Sequence, residues 1–143
     1  MILKHSKTKW IDIEWIDGVR LNIDYPTQEQ MEQLRELFFT IININGNYTK
    51  EETDTEIELT PEQKAKELRL SEKIAKLRIK FSVKGWEGVK DEDGNDVKLK
   101  LVSNEMENDL FESFISNLNF AQVIRLGNLI QKETEFNEAD KKK

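Results

Sequence analysis

The chain has 143 residues and a net charge of −6, with 35% charged and 37% hydrophobic residues. So high a charged share leaves apolar residues for one modest core, and we expect a single domain over residues 1–132. The absence of cysteine excludes disulfide scaffolds and thiolate sites. With one histidine, His5, and no run of ~18 apolar residues, we expect no enzyme, no metal or other cofactor and no membrane span. The acidic balance makes nucleic acid a poor partner.

Two runs of alternating residues predict an antiparallel hairpin near the start. The apolar residues on its inner face are Ile11, Ile13, Trp15, Val19, Leu21 and Ile23. A three-residue loop over residues 16–18 keeps all of them on one face by pairing Trp15 with Val19 and Ile13 with Leu21. This loop requires Gly18 in the left-handed conformation.

A capping box formed by Thr27 and Gln30 predicts the start of a first helix. Its apolar residues recur at three-and-four spacing and form one stripe: Met31, Leu34, Leu37, Phe38, Ile41 and Ile42. The stretch 43–60 is polar, acidic and rich in turn formers. We expect it to be a mobile acidic loop.

A second capping box, Thr60 with Gln63, predicts a helix that ends near Arg78. It carries two apolar stripes on nearly opposite sides, one of Ala65, Leu68, Ala75 and Ile79 and the other of Leu70, Ile74 and Leu77. Either one stripe meets a partner or a second copy of the chain, or the helix is sandwiched inside its own fold. A basic stripe of Lys66, Arg69, Lys73 and Lys76 separates them, and it is either a solvated face or a contact for an acidic partner.

The alternation of Ile79, Phe81 and Val83 predicts a strand, and residues 97–101 predict its return partner across an acidic turn. Ser103 is then the expected N-cap of the first of two short helices, separated near residues 117–119, and residues 133–143 form a charged tail expected to be disordered. The predicted fold class is α+β, with both hairpins in one sheet covered by about four helices.

The acidic turn, Asp91–Asp96, resembles the beginning of a calcium-binding EF-hand loop. The resemblance fails at the sixth position, where Asp96 replaces glycine, and at the twelfth, where Val102 replaces the bidentate glutamate. We therefore expect a turn without a metal. Trp86, which has Gly85 before it and Gly88 two residues after it, is either a core aromatic or an interface anchor.

The segment 81–97, with Trp86, Gly88, Val89, Asp91 and Gly94, resembles small tail-morphogenesis proteins of tailed bacteriophages, including tail assembly chaperones. The resemblance implies a non-enzymatic role in the host bacterial cytoplasm during assembly, with other tail or head–tail proteins as partners. The alternatives are a structural component of the virion at the head–tail region, or an acidic inhibitor that mimics DNA through residues 51–62. The candidate partner-binding residues are Trp86, Leu70, Ile74, Leu77, Lys66, Arg69 and Lys73.

Overall fold

The computed structural model describes residues 8–16, 18–44 and 60–141, with only the backbone for residues 44 and 135–141. This part of the chain forms mixed α and β structure, which confirms the predicted α+β class. In chain order its elements are β1 (Lys9–Ile13), β2 (Val19–Ile23), α1 (Gln28–Ile44), α2 (Pro61–Ser82), β3 (Val83–Glu87), β4 (Leu101–Val102), β5 (Glu105–Met106), α3 (Asn108–Ser116) and α4 (Phe120–Lys141). The predicted mobile loop, apart from its ends, lies outside the described residues.

The first hairpin is present, but its predicted register is wrong by two residues. Ile13 pairs with Val19 and Ile11 with Leu21, so the connection is longer than three residues. A shift of two leaves every side chain on its face, which is why the predicted inner residues of both strands are nonetheless buried. Trp15 leaves the strand, and the Arg125 guanidinium of α4 lies 5.1 Å from its ring centre. Gly18 has φ +69°, as the turn prediction required.

The predicted second hairpin is present only around its acidic turn, where Lys90 forms an antiparallel bridge with Asp96. The strands predicted on either side of the turn are wrong. Residues 79–82 continue α2, and the strand that follows, β3, pairs with β2 in a three-stranded antiparallel sheet of order β1-β2-β3. Phe81 is buried against Leu34 and Ile74, and this contact requires the helical rather than the extended conformation. Residues 97–100 form no regular element, and β4 pairs with β5 through a turn at Ser103 and Asn104. Ser103 is therefore a turn residue, not an N-cap.

The main core lies between the inner face of the sheet and three helices. Its buried members come from the sheet (Ile11, Ile13, Val19, Leu21, Ile23, Val83), from α2 (Ala75, Ile79), from β5 (Met106), from α3 (Phe111, Ile115) and from α4 (Val123, Leu126, Ile130). The opposite face of the sheet is charged, and on it Arg20 bonds Asp12 at 2.8 Å and Glu87 at 3.4 Å. The alternation in the sequence thus separates core from solvent as predicted.

A second, smaller core joins α1 to α2. Leu34 of α1 and Ile74 and Phe81 of α2 are buried together, with Leu37 and Leu77 packed against them. Both predicted capping boxes are present: Thr27 and Gln30 exchange bonds of 2.9 and 3.2 Å, and Thr60 and Gln63 exchange bonds of 2.8 and 3.1 Å. The C-terminal half of α2 thus has α4 and the sheet on one side and α1 on the other.

The C-terminal region differs from its prediction. The interruption near residues 117–119 is confirmed, because α3 ends at Ser116 and α4 begins at Phe120. The expected disordered tail is wrong from residue 133 to Lys141, since α4 continues through it. Glu133 forms an ion pair with Lys9 of β1, and the Thr134 hydroxyl donates to the Ile130 carbonyl at 2.9 Å. These contacts stabilise the first two residues of α4 beyond the predicted boundary.

Candidate protein-binding surfaces

The outer side of α1 exposes three large apolar side chains, which we call the α1 flank: Phe38, Phe39 and Ile42. Their exposed fractions are 37%, 63% and 59%. The flank exists because apolar residues occupy too wide an arc of this helix. At ~100° per residue, Ile42 lies about 80° and Phe39 about 140° around the helix from the buried Leu34. A stripe of ~100° is enough to pack on one neighbour, so the flank is left over once α2 has covered the other side.

Arg78 of α2 fixes one edge of the α1 flank. Its side chain is buried, and its guanidinium lies 5.5 Å from the centre of the Phe38 ring. A cation over an aromatic face holds that ring in place. Phe39 and Ile42 lie beyond this contact, and both are more than half exposed. The flank is therefore anchored at one end and open at the other.

The stretch of α2 from Lys66 to Lys73 carries the predicted basic residues. Lys66, Arg69 and Lys73 are all exposed. Farther along the same stripe, Lys76 pairs with Glu72 at 2.9 Å and Lys80 lies 5.5 Å from the Phe111 ring centre. The three exposed cations thus form the free part of the stripe among the residues described.

The apolar candidates on α2 occupy different environments. Ile74 is 6% exposed beneath α1, while Leu77 is partly buried in the same cluster and Leu70 is half-buried. For Ile74 and Leu77, the alternative in which the helix is sandwiched inside its own fold therefore applies. On the other stripe, Leu68 is 54% exposed while Ala75 is buried. The structure places the basic candidates together on α2 and Trp86 elsewhere, at the end of β3.

Trp86 stands at the base of a groove, which we call the Trp86 groove. The groove has a volume of 680 Å³ and lies between the β1–β2 connection, residues 88–92 and α3. The indole N–H donates to the Val97 carbonyl at 2.7 Å, and the ring stacks on Phe114 with centroids 5.5 Å apart. Trp86 is only partly buried, so it is both a packing residue and part of an accessible surface.

The acidic turn predicted from Asp91–Asp96 forms one side of this groove and is confirmed as a turn. The Asp91 carboxylate accepts from the backbone N–H groups of Asp93 and Asn95, both at 2.9 Å, and Gly94 adopts φ +82°. These bonds use the carboxylate to shape the loop. Within residues 8–16, 18–44 and 60–141, no group of three His, Cys, Asp or Glu side chains is arranged to hold a metal ion.

Lys84 occupies an unusual position in the sheet. It is the extra residue of a bulge, because Asn22 pairs with Gly85 while Ile23 pairs with Val83. Its ammonium group donates to the Asn104 carbonyl in the β4–β5 turn. Burial lowers the pKa of Lys84 below its usual value of 10.5, an effect that the carboxylates of Asp24 and Glu105 partly oppose. Lys84 therefore connects the sheet to the β4–β5 hairpin at the cost of partial desolvation.

The sequence pattern does not distinguish the α1 flank, because Phe38 and Ile42 belong to the single apolar stripe of this helix and Phe39 lies outside it. The available signal was the width of the apolar arc, which exceeds what a single neighbouring helix can cover. The Trp86 groove was indicated only by its tryptophan. Its second aromatic residue, Phe114, comes from α3, and no local pattern joins positions 86 and 114.

Comparison of the chain with protein-family models, with curated proteins and with solved structures found no match. Among the helices described, none has the length and apolar character needed to cross a membrane.

Proposed function

We propose that the chain is a non-enzymatic assembly protein that acts in phage tail or virion morphogenesis by binding another protein through its α1 flank. The observation that carries the proposal is the exposure of Phe39 and Ile42 on a regular, capped helix. A contiguous group of exposed apolar side chains with charged residues around it is typical of a protein–protein contact surface. The partner class, tail or head–tail proteins of tailed bacteriophages, comes from the resemblance of the segment 81–97.

The exposed apolar surface of the flank is consistent with the role of a tail assembly chaperone. Such a protein covers apolar surface on a partner until assembly and must itself stay dispersed. The net charge of −6 favours dispersion, and the flank supplies apolar surface that contact with a partner would bury. Because the exposed residues lie outside both cores, they can be engaged without unfolding the chain.

Co-expression with the tail-tube and tape-measure proteins of the same phage tests the proposal. We expect the wild-type chain to keep one of them soluble and to co-purify with it. The double variant Phe39→Asp/Ile42→Asp should lose the complex, because a buried, unpaired charge at a contact centre weakens binding by about 30-fold or more. The matched control is Gln33→Asp/Thr40→Asp, which adds the same two charges to exposed positions on the other side of the same helix.

Retention of the complex by the flank variant, or equal loss in the control, would contradict the role of the flank. If neither tail protein binds the wild-type chain, the proposed partner class is wrong. Mass spectrometry of purified particles then separates the two morphogenetic roles. A chaperone is absent from the finished particle, whereas a structural component at the head–tail region is present at stoichiometric copy number.

A further inference from the structure

The Trp86 groove has a floor that folding leaves accessible. Trp86 and Phe114 stack to form its aromatic base, which is extended by Leu110 of α3 and by Leu118, just after the end of that helix. All four pack against the main core with one side while lining the groove with the other. A volume of 680 Å³ lies within the range of ~300–1,000 Å³ that is usual for ligand-binding clefts.

The walls of the groove are fixed before anything binds. The indole is held by the Val97 carbonyl, and the Val97 N–H donates to the Val89 carbonyl at 2.9 Å. Gly88 packs so tightly on the β1–β2 connection that a Cβ there would lie 2.0 Å from the Gly18 carbonyl oxygen. A preformed apolar site requires little ordering on binding, so more of the contact energy remains as affinity.

The rim of the groove is acidic. Asp91 and Glu92 line it, opposed by Lys90. Asp93 and Asp96 are exposed in the same turn. The Glu92 carboxylate has no hydrogen-bond partner among the residues described, so its charge is free to meet a cation. An apolar floor with an acidic rim is complementary to an apolar side chain flanked by lysine or arginine.

We propose that the Trp86 groove binds a basic amphipathic segment of a partner protein. One large apolar side chain of that segment rests on the Trp86–Phe114 base, and its neighbouring cations face Asp91 and Glu92. This inference does not rest on the proposed function, because it concerns a second surface whose chemistry differs from that of the α1 flank. The flank is apolar and anchored by Arg78, whereas the groove is apolar and acidic.

A labelled 12-residue helical peptide built of leucine, lysine and one phenylalanine is the probe, followed by fluorescence anisotropy. Two further peptides separate the contributions: one has glutamate in place of lysine, and the other has lysine but no large apolar residue. We expect the amphipathic basic peptide to bind at least about tenfold more tightly than either. Its affinity should fall as salt is raised, because the rim charges are exposed.

Ser113→Arg tests the location. Ser113 is exposed on α3 and lines the groove, so arginine there fills the space and adds a positive charge while remaining a good helix former. We expect about a 30-fold loss of affinity. Gln33→Arg places the same charge on the exposed side of α1 and should bind as the wild type does. Glu92→Lys, which touches only the rim, should weaken binding by up to about fivefold at low salt.

Equal binding by Ser113→Arg and the wild type, or an equal loss in Gln33→Arg, would overturn the proposal. So would equal binding of the glutamate peptide. Melting temperatures establish that Ser113→Arg is folded; if it is not, Glu92→Lys decides, with unchanged affinity at low salt counting against the groove. The Phe39→Asp/Ile42→Asp variant should still bind the peptide, and Ser113→Arg should still bind the tail protein. The two proposals can thus fail separately.

Discussion

Gly127 of α4 lies against Ala75 of α2 so closely that a Cβ at position 127 would be 2.7 Å from the Ala75 Cβ. This crossing directs the Ala75–Ile79 stripe of α2 towards α4 and the sheet. The opposite stripe, with Ile74 and Leu77, is then left for α1. Since α1 packs through Leu34, its flank has no neighbour to cover it among the described residues. One close helix contact thus determines which apolar residues remain on the surface.

Gly127→Ala tests this crossing. Alanine favours a helix over glycine by about 1 kcal/mol, so a gain in stability is expected if the site has room. Because the added methyl would meet Ala75, we expect a net loss of about 1–3 kcal/mol instead, measured by chemical denaturation. Ala75→Gly in the same chain should recover part of the loss. A more stable Gly127→Ala protein would show that the helices do not approach this closely.

Gly88→Ala should destabilise the fold more than Gly94→Ala does. Both glycines have positive φ, +83° and +82°, so both substitutions carry similar backbone strain of about 1 kcal/mol. Only position 88 adds a clash, with the Gly18 carbonyl oxygen, whereas nothing lies within 4 Å of a Cβ at position 94. We expect Gly88→Ala to unfold at a clearly lower denaturant concentration. Equal midpoints for the two variants would exclude the contact between Gly88 and Gly18.

Trp86→Phe should destabilise the fold by about 1–3 kcal/mol. The substitution removes the donor to the Val97 carbonyl, leaving that acceptor unsatisfied, and reduces the stack on Phe114. Trp10→Phe is the matched control, since Trp10 is 40% exposed on the outer face of the sheet. It should cost less than about 1 kcal/mol. Thermal unfolding compares the two, and similar losses would mean that Trp86 does not organise the groove.

Lys84 predicts a specific pH dependence. Its pKa is lowered in the folded protein, so between that lowered value and 10.5 the unfolded chain binds more protons and stability rises with pH. The stability of the wild type relative to Lys84→Met should therefore increase as pH is raised from 7 towards 10. Arginine at position 84 keeps its charge throughout this pH range. The stability of Lys84→Arg relative to the wild type should therefore decrease as the pH rises. A difference independent of pH would contradict the desolvation of Lys84.

Local signals predicted the local structure. Both capping boxes and both faces of the first hairpin follow from residues within a few positions of one another. The hairpin register could not be predicted in this way, because a shift by two residues preserves the alternation of apolar and polar side chains. Ile79, Phe81 and Val83 suit a strand as well as a helix end. The helical conformation is stabilised by the packing of Phe81 against Leu34, which lies 47 positions earlier in the chain.

The candidate binding residues also differ in how far local sequence patterns could predict them. The basic residues of α2 could be predicted as a group, since helical spacing alone places Lys66, Arg69 and Lys73 on one stripe. Predicting the α1 flank required knowing that α2 covers only one side of α1. The width of the apolar arc indicates that some of its residues stay exposed, but which ones depends on how α2 packs on the rest of the fold. The close contact between Gly127 and Ala75 is part of that packing and leaves no periodic pattern in the sequence.

Photocrosslinking from position 39 tests the central claim most directly. A benzophenone amino acid replaces Phe39 in cells producing phage tails, and the same group at the exposed Gln33 of α1 serves as control. The account predicts a crosslink from position 39 to one tail-tube, tape-measure or head–tail protein and none from position 33. The account would be contradicted if tail assembly requires the chain and yet position 39 crosslinks to no such protein. It would also be contradicted if position 39 crosslinks no more than position 33 does.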